Sequence, residues 1–271
     1  MNQEPGRIVV GIDGSDAAIN AAEWAVTEAV GLNVPIRLVF AVPERQGESG
    51  GDPLDVEYAE TSLRASDAAI AALGEPVKVE CAIVPGAPED VLVGESGGAA
   101  LVCIGSVGIG RVARRVLGST ADAVARRARC PVAIVRTDRE APEGGGTDPG
   151  WVAVVVDDSR GNDAVLAHGF REAELRGAPI LAMGVWRWGV GEIPFRQLDE
   201  RLGPWVERYP GIHVMPAAAR HGAAEFLSHT QECIQLAVVG TADADKVARM
   251  VGPTGQRFGG RCGCSVLVVR G

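Results

Sequence analysis

Gly105-Ser106-Val107-Gly108-Ile109-Gly110-Arg111-Val112-Ala113-Arg114-Arg115-Val116-Leu117-Gly118-Ser119-Thr120 follows an apolar run, Ala99-Ala100-Leu101-Val102-Cys103-Ile104. It leads into Asp122-Ala123-Val124-Ala125, so a helix is predicted to start at Ser119. Strand, glycine loop and helix start, in that order, make an anion cradle. Glycine lets backbone N–H groups come close to a ligand, and the helix dipole favours negative charge at its first turn. The stretch reads as the phosphate-holding part of a nucleotide site.

Upstream, Arg7-Ile8-Val9-Val10-Gly11-Ile12-Asp13 reads as a strand, and Gly14-Ser15-Asp16 as a turn with a helix cap. Ile19, Ala22, Val26, Ala29 and Val30 recur at helical spacing as far as Gly31. Ile36 to Val42 predicts a second strand, residues 43–53 an exposed loop, and Leu54 to Leu73 a long helix. Val77 to Val84 predicts a third strand. Pro85-Gly86-Ala87-Pro88 turns into a short helix through Leu92, and Val132 to Arg136 closes the series. Alternating strands and helices predict an α/β fold: an open parallel sheet with helices on both faces. Such sheets take ligands at the carboxyl ends of their strands, where the strand order reverses.

Residues 137–150 are linker-like in composition, and the pattern then restarts. Trp151 to Asp157 echoes Arg7 to Asp13, and Ala164 to Arg176 reads as the first helix again. Pro179 to Val185, His213 to Ala218 and Leu236 to Gly240 echo the second, third and fourth strands. Cys264-Ser265-Val266-Leu267-Val268-Val269-Arg270 echoes Cys130-Pro131-Val132-Ala133-Ile134-Val135-Arg136. The sequence therefore predicts two copies of one fold: residues 1–138, a linker at 139–150, and residues 151–271.

Composition narrows the classes. In 271 residues, 46% are hydrophobic and 23% charged, as in a packed globular protein. Aromatics are only 4%, so the core is built from Val, Ala, Leu and Ile. With 26 basic and 35 acidic side chains the net charge is −9, which argues against general nucleic-acid binding. No apolar run reaches the roughly 18 residues that span a bilayer, and the first residues lack the pattern of a secretory signal. The six cysteines form no C-x-x-C pair. A cytoplasmic chain with reduced cysteines, no metal site and no membrane segment is expected.

Other motifs compete poorly. Gly108-Ile109-Gly110-Arg111-Val112-Ala113 fits the dinucleotide fingerprint and Asp138 follows the next strand, but the match falls late in the repeat instead of after the first strand. Gly94-Glu95-Ser96-Gly97-Gly98 fits a nucleophile elbow, yet a helix precedes it and a strand follows, the reverse of what an elbow needs. His168, His213, His221 and His229 all lie in the second half without metal-type spacing. The aromatic residues Trp186, Trp188, Phe195 and Trp205 also gather there, as core or as a covering surface. The second half's counterpart of the loop is degraded. Asp243 stands for the second glycine, Pro253 for the serine and Asp158 for the glycine after Asp157. A carboxylate would repel phosphates, and proline removes an N–H donor.

The spacing Gly105-x2-Gly108-x9-Gly118-Ser119, the opening Gly11-Ile12-Asp13-Gly14-Ser15 and the closing Cys130-Pro131-Val132-Ala133-Ile134-Val135 resemble the universal stress protein family, in its tandem-domain, actinobacterial-type form. The resemblance implies two tandem five-stranded parallel sheets of adenine nucleotide alpha-hydrolase-like type, strand order 3-2-1-4-5. It also implies ATP, with Mg held mainly by phosphate oxygens, across the carboxyl ends of the first and fourth strands. The cofactor-binding residues implied are Gly11, Asp13, Val42, Gly105, Ser106, Gly108, Gly118, Ser119 and Thr120. Asp13 would take the ribose or adenine edge, Val42 would offer backbone groups to adenine, and the glycines with Ser119 and Thr120 would hold the phosphates. Arg111, Arg114 and Arg115 sit in the loop, where a solvated surface is the more economical reading. No general base or metal-holding carboxylate pair stands out, so the implied protein is a stress-response or signalling binder and at most a slow ATPase. A homodimer of tandem chains is the expected assembly. The readings set against it are a nucleotide-free scaffold of the same fold and a dinucleotide-dependent oxidoreductase.

Overall fold

The computed structural model describes residues 6–43, 52–108, 117–136, 150–185, 195–251 and 264–271. The chain divides into two units, Met1–Arg136 and Thr137–Gly271. In the first, the order is β1 (Arg7–Ile12), α1 (Asp16–Leu32), β2 (Ile36–Val42), α2 (Pro53–Ala72), β3 (Val79–Pro85), α3 (Pro88–Glu95), β4 (Ala99–Gly105), α4 (Ser119–Arg127) and β5 (Val132–Val135). The strands run β3-β2-β1-β4-β5, each pair parallel, with Ile8 opposite Ile36 and Leu101. The sheet reads as nearly unbroken Val, Ile and Leu because both faces are covered. Val9, Val102, Val132 and Ile134 are fully buried. Right-handed crossovers put α1 beside α2, and α3 beside α4.

Helix α1 shows how local sequence fixes the frame. Ala18, Ala21, Ala22, Ala25, Val26 and Ala29 form its buried stripe. Their small side chains bring the helix close to the sheet, and a Cβ at Gly105 would lie 2.7 Å from the carbonyl carbon of Ala17. The helix begins at the cap Ser15, whose side chain accepts from the Ala18 N–H, and stops at Asn33 in a left-handed conformation, φ 53°. Its short polar side chain makes Asn tolerant of that conformation.

The second unit contains β6 (Trp151–Val156), α5 (Asn162–Arg176), β7 (Ile180–Gly184), α6 (Phe195–Arg208), β8 (Val214–Ala218), α7 (Ala223–His229), β9 (Ile234–Gly240), a 3-10 turn (Thr241–Lys246), α8 (Val247–Val251) and β10 (Ser265–Val269). Its strands run β10-β9-β6-β7-β8, again parallel. That is the same order as in the first unit. Trp205 of α6 stacks on the buried Phe170, ring centroids 5.8 Å apart, so this aromatic completes packing within the unit. Trp186 and Trp188 lie outside the described residues.

One expectation is corrected. Cys233 is disulfide-bonded, whereas Cys81, Cys103, Cys130 and Cys264 remain thiols. The partner of Cys233 therefore lies outside the described residues. Without C-x-x-C spacing, nothing local in the sequence announces such a bond.

A glycine-walled cavity at the carboxyl ends of the strands

A cavity of about 330 Å³ opens at the carboxyl ends of β1, β2 and β4. Strand β1 brings Gly11, Ile12 and Asp13 to it, and the start of α1 brings Ser15 and Ala18. Strand β2 supplies Val39, Phe40 and Ala41. Ile104, Gly105, Val107 and Gly108 enter from the end of β4, Gly118 to Ala121 from the start of α4, and Pro88 and Leu92 from α3.

Asp13 is held rather than loose. Its Oδ1 accepts from the Ser15 N–H at 2.9 Å and from the Ser15 Oγ–H at 2.6 Å. The Tyr58 hydroxyl donates to the Asp13 carbonyl at 3.4 Å, and the Tyr58 ring meets Phe40 edge-on. Oδ2 lies 2.7 Å from where a Gly108 Cβ would be. Glycine at 108 therefore answers to a close approach and not to a left-handed turn. The same holds for Gly105 against Ala17. Neither residue, nor Gly118, has positive φ.

The starts of α1 and α4 at the cavity differ. Ser15 caps α1. Helix α4 is capped only by Gly118, with no side-chain hydrogen bond. Ser119 is thus the first helical residue and not the cap. Gly118 donates its N–H to Ser106 O at 3.0 Å, and Gly118 O accepts from Asp122 at 3.0 Å. No side chain among the described residues occupies the dipole end formed by Ser119, Thr120 and Ala121. Asp122, in the first turn, is engaged by the Arg126 guanidinium at 3.0 Å.

The outer wall is braced by ion pairs. Glu95, at the end of α3, accepts from Arg7 and Arg37 of β1 and β2, each at 3.1 Å. Arg127 of α4 reaches Asp90 of α3 at 2.8 Å.

Of the residues singled out from sequence, Gly11, Asp13, Gly105, Gly108, Gly118, Ser119 and Thr120 all line the cavity. Val42 does not. It is 4% exposed and its carbonyl accepts from Gly86 N–H at 2.8 Å, so Ala41 and Phe40 stand on that wall instead. Ser106 is buried behind the loop, donating its N–H to Val135 O. Arg111, Arg114 and Arg115 lie outside the described residues. The fingerprint beginning at Gly108 follows β4, and Gly110 also lies outside them. Sequence reasoning gave no ligand role to Ser15, Phe40, Pro88 or Leu92. For Ser15 the cap signal was legible, but its bond to Asp13 was not. For Pro88 and Leu92 nothing in residue type points to a ligand.

In the second unit the corresponding strand end, Gly240, runs into the 3-10 turn, where Asp243 is buried and pairs with Lys246 at 2.7 Å. Asp157 Oδ1 accepts from the Ser159 N–H at 2.9 Å. Helix α5 is capped by Gly161 without a side-chain bond.

Parallel β-α units in the order 3-2-1-4-5 with a glycine-walled cavity at the strand ends define a doubly wound α/β protein, a class that takes ligands at that edge of its sheet. Family comparison agrees with it: the universal stress protein family model matches residues 5–136. Universal stress protein Rv2624c of Mycobacterium tuberculosis is 43% identical over 263 residues, covering 97% of this chain and 96% of its own. Universal stress protein Rv2028c of the same organism is 36% identical, covering 99% and 98%. A crystal structure of a universal stress protein from Archaeoglobus fulgidus superposes with a TM-score of 0.68 at 17% identity, covering 98% of this chain and 97% of that one, which bears on the fold alone. The chain belongs to the universal stress protein family.

Proposed function

We propose that this chain is an ATP-binding universal stress protein with a stress-response or signalling role, and that its first unit alone holds the nucleotide. The observation that carries the reading is the combination in one cavity of an uncapped α4 start, two glycines packed too closely for a Cβ, and an Asp13 oxygen with no partner among the described residues. Phosphates fit the α4 dipole and the N–H groups of its first turn, helped by the Ser119 and Thr120 hydroxyls. Asp13 Oδ2 accepts from a ribose hydroxyl. The apolar wall of Val39, Phe40 and Leu92 suits a purine, and the backbone of Ala41, with Val42 behind it, suits the adenine edge. Mg is held by the phosphate oxygens and water.

Asp13 is the one carboxylate among the described cavity-lining residues, and it serves as an acceptor to the sugar. The site is thus built for binding, with hydrolysis slow at most. In the second unit the strand end runs into a 3-10 turn that holds the Asp243–Lys246 pair in place of a glycine loop, so that site stays silent. No helix among the described residues is long and apolar enough to cross a membrane; a cytoplasmic homodimer of tandem chains completes the proposal.

The test is titration calorimetry of ATP into the full chain, with mass spectrometry of ligand released from the purified protein. Released ATP, AMP or cyclic AMP, and an ATP isotherm lost in Gly118→Glu, is the expected result. Asp13→Ala weakens ATP by at least about tenfold, the worth of a hydrogen bond to a charged acceptor. An unchanged isotherm in Gly118→Glu overturns the site. Released NAD would point to the dinucleotide reading, and no ligand with no isotherm to a scaffold.

A further inference from the structure

We infer that Ser15 is a positioning residue for nucleotide selection: its hydroxyl fixes the Asp13 carboxylate so that one oxygen, Oδ2, faces the cavity as an acceptor for a free ribose hydroxyl. This rests on the nucleotide reading of the cavity. The argument starts from the two oxygens of Asp13. Oδ1 is spent, accepting from both the N–H and the Oγ–H of Ser15 at 2.9 and 2.6 Å. Oδ2 has no donor among the described residues and rests against Gly108, inside the cavity. A carboxylate accepts and does not donate, so among hydrogen-bonding groups of a ligand it rewards an O–H or N–H.

The Ser15 hydroxyl is itself anchored, because the same Oγ accepts from the Ala18 N–H at 3.2 Å to cap α1. One oxygen thus joins the first turn of a helix to the orientation of a ligand group. The second unit supplies the contrast. Its Asp157 keeps the backbone bond from Ser159, but no hydroxyl bond to that carboxylate occurs among the described residues, and a different residue, Gly161, caps α5. The backbone half of the arrangement thus recurs with the repeat. The hydroxyl half belongs to the unit with the open cavity.

The discriminating quantity is a ratio of affinities. ATP, 2′-deoxy-ATP and 3′-deoxy-ATP are titrated into the full chain and into Ser15→Ala, Ser15→Gly and Ser15→Thr. Wild type is expected to bind at least one deoxy nucleotide roughly 10- to 100-fold more weakly than ATP, the range for a bond to a charged acceptor. In Ser15→Ala and Ser15→Gly the carboxylate is released and the ratio falls to within about threefold, while Ser15→Thr, which keeps the hydroxyl, restores it. Glycine is a tolerable N-cap, so Ser15→Gly separates loss of the hydroxyl from loss of the helix start. A purely structural role would weaken all three nucleotides by a common factor and leave the ratio alone; that result overturns the inference. So does a wild type that binds the three equally. If wild type binds none of them, the nucleotide reading itself fails, and the inference falls with it.

Discussion

Asp13, Gly105, Gly108 and Gly118 differ in what they demand. At Gly105 a Cβ meets the main chain of Ala17, 2.7 Å from its carbonyl carbon. Backbone cannot swing aside, so Gly105→Ala should destabilise the fold by about 1–3 kcal/mol, the usual cost of overpacking, read by denaturant titration. At Gly118 the φ is −61° and the nearest atom to a Cβ is 3.7 Å away. Gly118→Ala should therefore leave stability within about 0.5 kcal/mol of wild type and lower ATP affinity, separating ligand approach from folding in one pair of variants. The sequence made all three glycines visible, but as members of one loop. Which of them is pressed by the chain itself, and which by what the chain binds, depends on how near α1 and Asp13 come. Spacing does not carry that. The same limit applies to Ser15: its capping role is local and legible, its hold on Asp13 is a matter of rotamers.

Among the elements, α4 opens on the cavity with its first N–H groups left without a side-chain partner from the described residues. Its first turn faces the cavity without a capping side chain, while α1, which opens on the same cavity, is closed by Ser15. In the proposed reading a bound anion supplies the missing partner. Saturating ATP, at about 100 times its Kd, should stabilise the native state by about 2.7 kcal/mol. Sulfate should do so by about 0.3–1 kcal/mol, both seen as an upward shift in Tm. A melting curve indifferent to either anion would count against α4 as the phosphate end. Legibility also varied by element. The β-strands were plain as short unbroken apolar runs between turn residues, and α1 because its apolar residues keep a helical period. Helix α6 was not, since Gly203 and Pro204 sit within it and read as a turn. The short α7 offers too few residues for a period to emerge. The cavity wall from α3 was hidden for another reason: Pro88 and Leu92 carry no polar chemistry, and the Glu95 ion pairs that hold their helix join residues far apart in sequence.

At the scale of the whole molecule, duplication was legible from the repeated strand endings, while the strand order of each unit came from the family resemblance and not from the alternation of strand and helix. The inequality of the copies now has a physical form. In one, the chain after the fourth strand leads to an open dipole end. In the other, it folds back into a 3-10 turn that holds its own ion pair, Asp243 with Lys246. Calorimetry with the full chain should give one ATP per chain and not two; a stoichiometry of two would refute the asymmetry. The Asp243–Lys246 pair has a further consequence. In the proposed reading the second unit, which closes this strand end with its own Asp243–Lys246 pair, stays unchanged as nucleotide supply varies, and the first unit does not. A partner that reads whether this protein is loaded has to read it on the first unit, and a surface of the second can serve such a partner only as a constant handle.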